Sequence, residues 1–125
     1  MTDRKFTYAD FRKELVRVMP GYKWTVHRFK NQPNRLEATG TLSSGFNRLS
    51  TISVERIIDI TGNPFYEVLY AGYGAKAGWY GSQIDKTLAR AMRGLQDQFE
   101  RKAHAYASYA TTIESGRRLP EGGAK

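Results

Sequence analysis

The chain has 125 residues, with 20 Lys and Arg against 12 Asp and Glu, a net charge of +8 and no cysteine. That length suits one core, the missing cysteines exclude disulfides and thiolate metal sites, and the positive charge points to polyanions while excluding an acidic DNA mimic. No run approaches the roughly 18 apolar residues of a membrane span, and the N-terminus has no apolar stretch after its first charges, so a cytosolic protein without membrane contact is expected.

The first element is a helix. Thr7 is placed to cap it, Asp10 to complete a capping box, and Phe6 and Phe11 have the spacing of a hydrophobic staple. Phe11, Leu15, Val18 and Met19 share one face, and Pro20 with Gly21 stops the helix. From Tyr22 the pattern changes to period two, predicting a strand over 22–29. A turn at 31–34 leads to a second strand over 35–42, with Leu36, Ala38, Gly40 and Leu42 on one face and Arg35, Glu37, Thr39 and Thr41 on the other. A third strand is expected over 49–60, with Ile52, Val54, Ile58 and Ile60 in phase and Arg56 breaking the pattern by a bulge or by reaching the core rim. The fourth, over 65–71, is apolar on both faces.

The stretch Gly72–Gly81 resembles a phosphate loop only at first sight. A Walker loop needs Lys after its last glycine, where this chain has Trp79, and the glycine spacing also misses the dinucleotide fingerprint. A hinge into the following helix is expected instead, with Trp79 and Tyr80 as its anchors and Lys76 beside a helix start that favours anions.

The last element reads as one long helix over 82–113, capped by Ser82 with Asp85 three residues on. Its stripe is Ile84, Leu88, Ala91, Leu95, Phe99, Tyr106, Tyr109 and Ile113, interrupted by Lys102. At ~1.5 Å per residue it reaches on the order of 45 Å, far beyond a strand, so its second half must overhang. That half either folds back after a break near Lys102 or covers its stripe with another chain, and self-association as a homodimer is the favoured expectation. The tail over 115–125 has nothing to bury and is expected to be disordered. The whole predicts a single two-layer α+β domain over 1–114, a four-stranded antiparallel sheet between an N-terminal helix and a long C-terminal one.

Catalysis finds no support. His27 and His104 lack metal-ligand spacing, no nucleophile motif is present, and neither a cofactor nor a metal is implied. Glu37, Glu55, Asp59 and Glu67 lie in expected strand segments where they can meet across a sheet, but polar positions alternating on a half-exposed strand produce that pattern by default. The basic residues are more informative. Lys86, Arg90, Arg93 and Arg101 fall within about 80° on the long helix, and Lys23, Arg28, Lys30, Arg35 and Arg48 stand against Glu37 alone between residues 22 and 48. Trp24 and Phe29 fall on opposite strand faces, so one is expected outside the core. Trp24 is assigned to a stacking platform that Tyr66 and Tyr70 extend.

The order helix, strands, helix, with a Gly-containing loop before the last helix, resembles the double-stranded-RNA-binding domain over about residues 6–99. The chain has one expected strand more, and Lys76 and Lys86 stand well apart where such domains carry a lysine pair. Two functions are therefore expected. The first is sequence-independent binding of DNA or RNA through phosphates, using Lys76, Lys86, Arg90, Arg93, Arg101, Lys23, Arg28, Lys30, Arg35 and Trp24. The alternative is a protein-binding inhibitor or accessory factor, of the kind carried by phages and mobile elements, acting through the tyrosine-rich helix with Tyr106, Tyr109 and Ile113 or through the aromatic sheet face.

Overall fold

The computed structural model describes residues 6–28, 34–45, 47–72 and 78–118, with residues 47 and 48 described by their backbone alone. The elements in order are α1 (Tyr8–Val18), β1 (Lys23–His27), β2 (Arg35–Ser44), β3 (Asn47–Ile58), β4 (Pro64–Ala71), β5 (Gly81–Asp85) and α2 (Leu88–Arg117). The strands form one antiparallel sheet in sequence order, and the fold is two-layer α+β. By contact, the chain divides into two compact units, Met1–Leu95 and Gln96–Lys125, each described separately below.

In the first unit, the α1 start forms as its sequence dictates. Thr7 and Asp10 exchange the reciprocal bonds of a capping box, and the Phe6 and Phe11 rings meet edge to face at 6.5 Å. Two otherwise orphaned amides are thereby satisfied before the helix buries Phe11 and Leu15.

The strand register sorts the side chains into two faces. On one, Trp24, Gly40, Ile52, Tyr70 and Gly81 stand level across all five strands, and Val26, Ala38, Val54, Val68 and Gln83 form the next row. This is the helix-covered face. The Trp24 indole donates to the Met19 carbonyl at the end of α1, and Gly94 on α2 lies so close to Gln83 that a Cβ would meet its Oε1 at 3.0 Å. The core is Phe11, Leu15, Trp24, Ala38, Ile52, Val54, Tyr66, Val68, Ala71, Leu88, Ala91 and Leu95.

Three sequence expectations are corrected. The sheet has five strands, not four: residues 81–85 pair with β4 from Tyr70↔Gly81 to Tyr66↔Asp85. The stretch 72–81 therefore joins two strands of a hairpin and is no hinge into a helix. Helix α2 starts six residues later than expected, capped by Thr87, whose hydroxyl accepts from the Arg90 amide at 3.2 Å and whose carbonyl accepts from Ala91 at 3.0 Å. Strand β3 stops at Ile58, leaving Ile60 fully exposed in the turn that follows. Arg56 keeps the register, and the irregularity lies between Leu42 and Ser43 instead.

At its other end α2 continues unbroken past Lys102 to Arg117, three residues into the stretch read as tail. No helix is long and apolar enough to cross a membrane among the described residues.

Candidate nucleic-acid interface

The aromatic platform expected of Trp24, Tyr66 and Tyr70 is not on the sheet face away from the helices. Trp24 and Tyr66 are 6% and 4% exposed on the helix-covered side, and Tyr70 shares that side, half-buried. Trp24 is thus a core residue whose indole lies flat over Gly40, where a Cβ would come within 2.6 Å of the ring. The strand alternation that separates Trp24 from Lys23 and Thr25 was legible. Which side the helices would cover was not.

The open face holds something different. His27, Glu37, Glu55, Glu67 and Ile84 stand level across the five strands, so three carboxylates occupy adjacent positions in one row. Directly opposite like charges destabilise a sheet, and Arg35 answers one of them by an ion pair with Glu55. Hydroxyls make up much of the neighbouring row, with Thr25, Thr39 and Ser53 level, and His27 bonds Thr39 through Nε2 at 2.8 Å. Among the described residues no group of His and acids has the arrangement of a metal site. Among the described residues, Lys23 and Arg35 are the strand cations of this face, against its three glutamates.

The helix side is different in charge. Arg12, Lys13, Arg17, Arg90 and Arg93 are exposed on α1 and the first turns of α2. The acids of this layer are engaged internally. Asp10 closes the capping box, and Glu14 accepts the Tyr66 hydroxyl at 2.5 Å. Arg56 donates to the same hydroxyl at 3.1 Å and lies over the Phe6 ring at 3.8 Å. Burial, then the Glu14 carboxylate, pushes the Tyr66 phenol up to about 12. Arg12 also donates to the Trp24 carbonyl at 3.0 Å, and Arg28 sits over the Tyr8 ring at 4.8 Å.

The residues assigned to phosphate contact therefore separate. Lys86 is not on the helix but in the β5–α2 turn, where its amide donates to Asp85 at 2.6 Å. Arg90 pairs with Asp85 at 3.3 Å, so a carboxylate of the chain itself already stands beside the helix start. Arg93 is exposed on the first unit, and Arg101 is exposed on the second. Lys23 and Arg28 belong to the β1 edge and Lys86 to the β5 edge, four strand spacings of ~4.8 Å away. Arg35 is engaged by Glu55. Lys30, Lys76, Phe29 and the Arg48 side chain lie outside the described residues. Sequence reasoning did not single out Arg12, Lys13 and Arg17; their positions off the Phe11–Leu15 face were the available signal.

Trp79 and Tyr80 do not plug the core, each being about half exposed. Tyr80 instead closes the hairpin: its amide donates to Tyr70 at 2.6 Å and its ring covers Gly72, where a Cβ would approach to 2.8 Å. A shallow depression lined by Asp59, Asn63, Pro64, Phe65 and Lys86 lies beside the β3–β4 turn. Its carboxylate is committed, since Asp59 accepts the Thr61 amide and hydroxyl and the Asn63 amide. The Thr61 hydroxyl bond first, then the backbone bonds, holds its pKa below the usual carboxylate range.

Comparison of the chain with protein families, with curated proteins and with solved structures finds no match.

Proposed function

We propose that the first unit binds the phosphate backbone of DNA or RNA, without base readout and without catalysis, through the outer side of its helix layer. The observation that carries this reading is the segregation of charge across the sheet. Arg12, Lys13, Arg17, Arg90 and Arg93 stand exposed on the helices while Asp10 and Glu14 are turned to internal partners, and Glu37, Glu55 and Glu67 lie together on the opposite face. A surface of fixed cations on helices attracts polyphosphate by counterion release and needs no pocket. A cytosolic setting goes with this reading.

The test is fluorescence anisotropy with generic duplex DNA and single-stranded RNA from about 50 to 200 mM salt, where phosphate-driven binding weakens steeply. Reversal of the helix layer by Lys13→Glu, Arg17→Glu and Arg93→Glu is expected to remove most affinity and flatten the salt slope. Lys23→Glu on the open face is expected to change little. Absence of binding at the lowest salt, or equal losses from both reversals, overturns the proposal.

A further inference from the structure

The β4–β5 hairpin carries the exposed rings of the first unit. Among the described residues of that unit, the large apolar side chains standing out in solvent are Val16, Leu49, Ile60, Trp79, Tyr80 and Ile84. The two aromatic ones are neighbours, 52% and 54% exposed. Aliphatic residues scattered singly over a surface are ordinary, whereas two adjacent exposed rings call for a physical account.

The register tells on which side of the sheet they lie. Gly72 continues the phase of Tyr66, Val68 and Tyr70, which face the helices, and the Tyr80 ring fills the space that a Gly72 Cβ would take. Tyr80 therefore lies on the helix side, one row beyond Trp24, Gly40, Ile52, Tyr70 and Gly81. Leu42 and Ser50 are level in that outer row. Tyr22 bonds Ser50 through its hydroxyl and sets its ring 6.0 Å from Trp24, so the row carries an aromatic near each end.

Cations border this end of the helix layer. Helix α1 reaches it at Met19, whose carbonyl takes the Trp24 indole, and its last turn carries exposed Arg17. Helix α2 meets β5 where Gly94 lies against Gln83, with exposed Arg93 one residue away. At ~3.3 Å per residue, that contact is about 10 Å along the strand from Tyr80.

We propose that the nucleic acid held by the helix layer is single-stranded, its bases stacked on Trp79 and Tyr80 while its phosphates lie along the neighbouring cations. This rests on the phosphate-binding reading above and names its substrate. Charge complementarity selects the occupant: Arg17 and Arg93 face solvent, while Asp10, Glu14 and Asp85 are engaged within the chain. A duplex keeps its base faces inside its own stack and offers a protein only edges and backbone. A single strand offers free faces, and since every base has one, stacking selects strand form without reading sequence.

The chain has two tryptophans, and Trp24 is only 6% exposed, so quenching by a stacked base reports on Trp79. Oligothymidylate at about 50 mM salt is expected to quench the emission, and Trp79→Phe to abolish that quenching. Phosphate contact alone favours the duplex, whose charge density is higher. The unaltered chain is nevertheless expected to bind oligothymidylate about 10-fold more tightly than a duplex of equal length. Trp79→Ala is expected to weaken oligothymidylate binding about 10-fold and duplex binding less than about twofold, and Trp79→Tyr to retain most of the affinity. Residual Trp24 emission reports that each variant is folded, and the strand preference of the unaltered chain needs no variant. Equal affinity for the two forms, equal losses on Trp79→Ala, or quenching that survives Trp79→Phe overturns this inference and leaves the phosphate-binding reading standing. Failure of both forms to bind overturns both.

Discussion

Gly40 and Trp24 show how one contact sets a local sequence requirement. The indole covers Gly40 on the neighbouring strand and would collide with any β-carbon there. Gly40→Ala is therefore expected to cost about 1–3 kcal/mol, from overpacking in the sheet interior, read as a lower denaturant midpoint with unchanged slope. Tyr66 carries a second requirement. Its phenol, normally at 10.0, is raised to about 12 by burial and by Glu14, so the folded state favours the protonated form. That stability is fully present below pH 10 and is lost as pH rises through about 12. Burial also raises Tyr22, which contributes in the same direction. Denaturant midpoints measured across that window are expected to fall, and Tyr66→Phe is expected to flatten the fall without abolishing it.

At the scale of elements, the junction between β5 and α2 is where competing local signals were resolved. Ser82 with Asp85 three residues on reads as a helix start, whereas the helix begins at Leu88 after Thr87. Pairing of residues 81–85 with β4 uses the first stretch, so capping falls to Thr87. Thr87→Ala is expected to cost about 1 kcal/mol and Ser82→Ala next to nothing, measured by thermal or denaturant unfolding. Equal costs at the two positions would return the cap to Ser82. The sheet edges are managed by the same local economy. Arg12 donates to an edge carbonyl of β1, and β5 is only five residues long, which limits the unpaired backbone offered to other strands.

At the scale of the whole molecule, the sheet divides the first unit: Arg12, Lys13, Arg17, Arg90 and Arg93 stand exposed on the helices of one side, and the row Glu37, Glu55 and Glu67 lies on the other. Charge reversal on the helix layer is expected to abolish polyanion binding while the same change at Lys23 spares it. That arrangement was only partly legible. The α1 cap, the β2 alternation and the long C-terminal helix rest on contacts within a few residues, which local spacing encodes. Five-residue β5 was hidden because its apolar Ile84 faces outward while Gln83 and Asp85 face inward, the reverse of the usual pattern, and because Ile84 and Leu88 mimic a helical repeat. The extra strand takes the sheet to five strands, one beyond the four expected from the sequence. By itself, the sequence determined the charge, the type of every element but β5, and the alternation of faces along the strands it did identify, since these follow from composition and periodicity. Only the tertiary structure decided which strand face the helices cover. Trp24 and Tyr66 consequently became core and three glutamates came into one row, because register brings together residues that no local spacing relates.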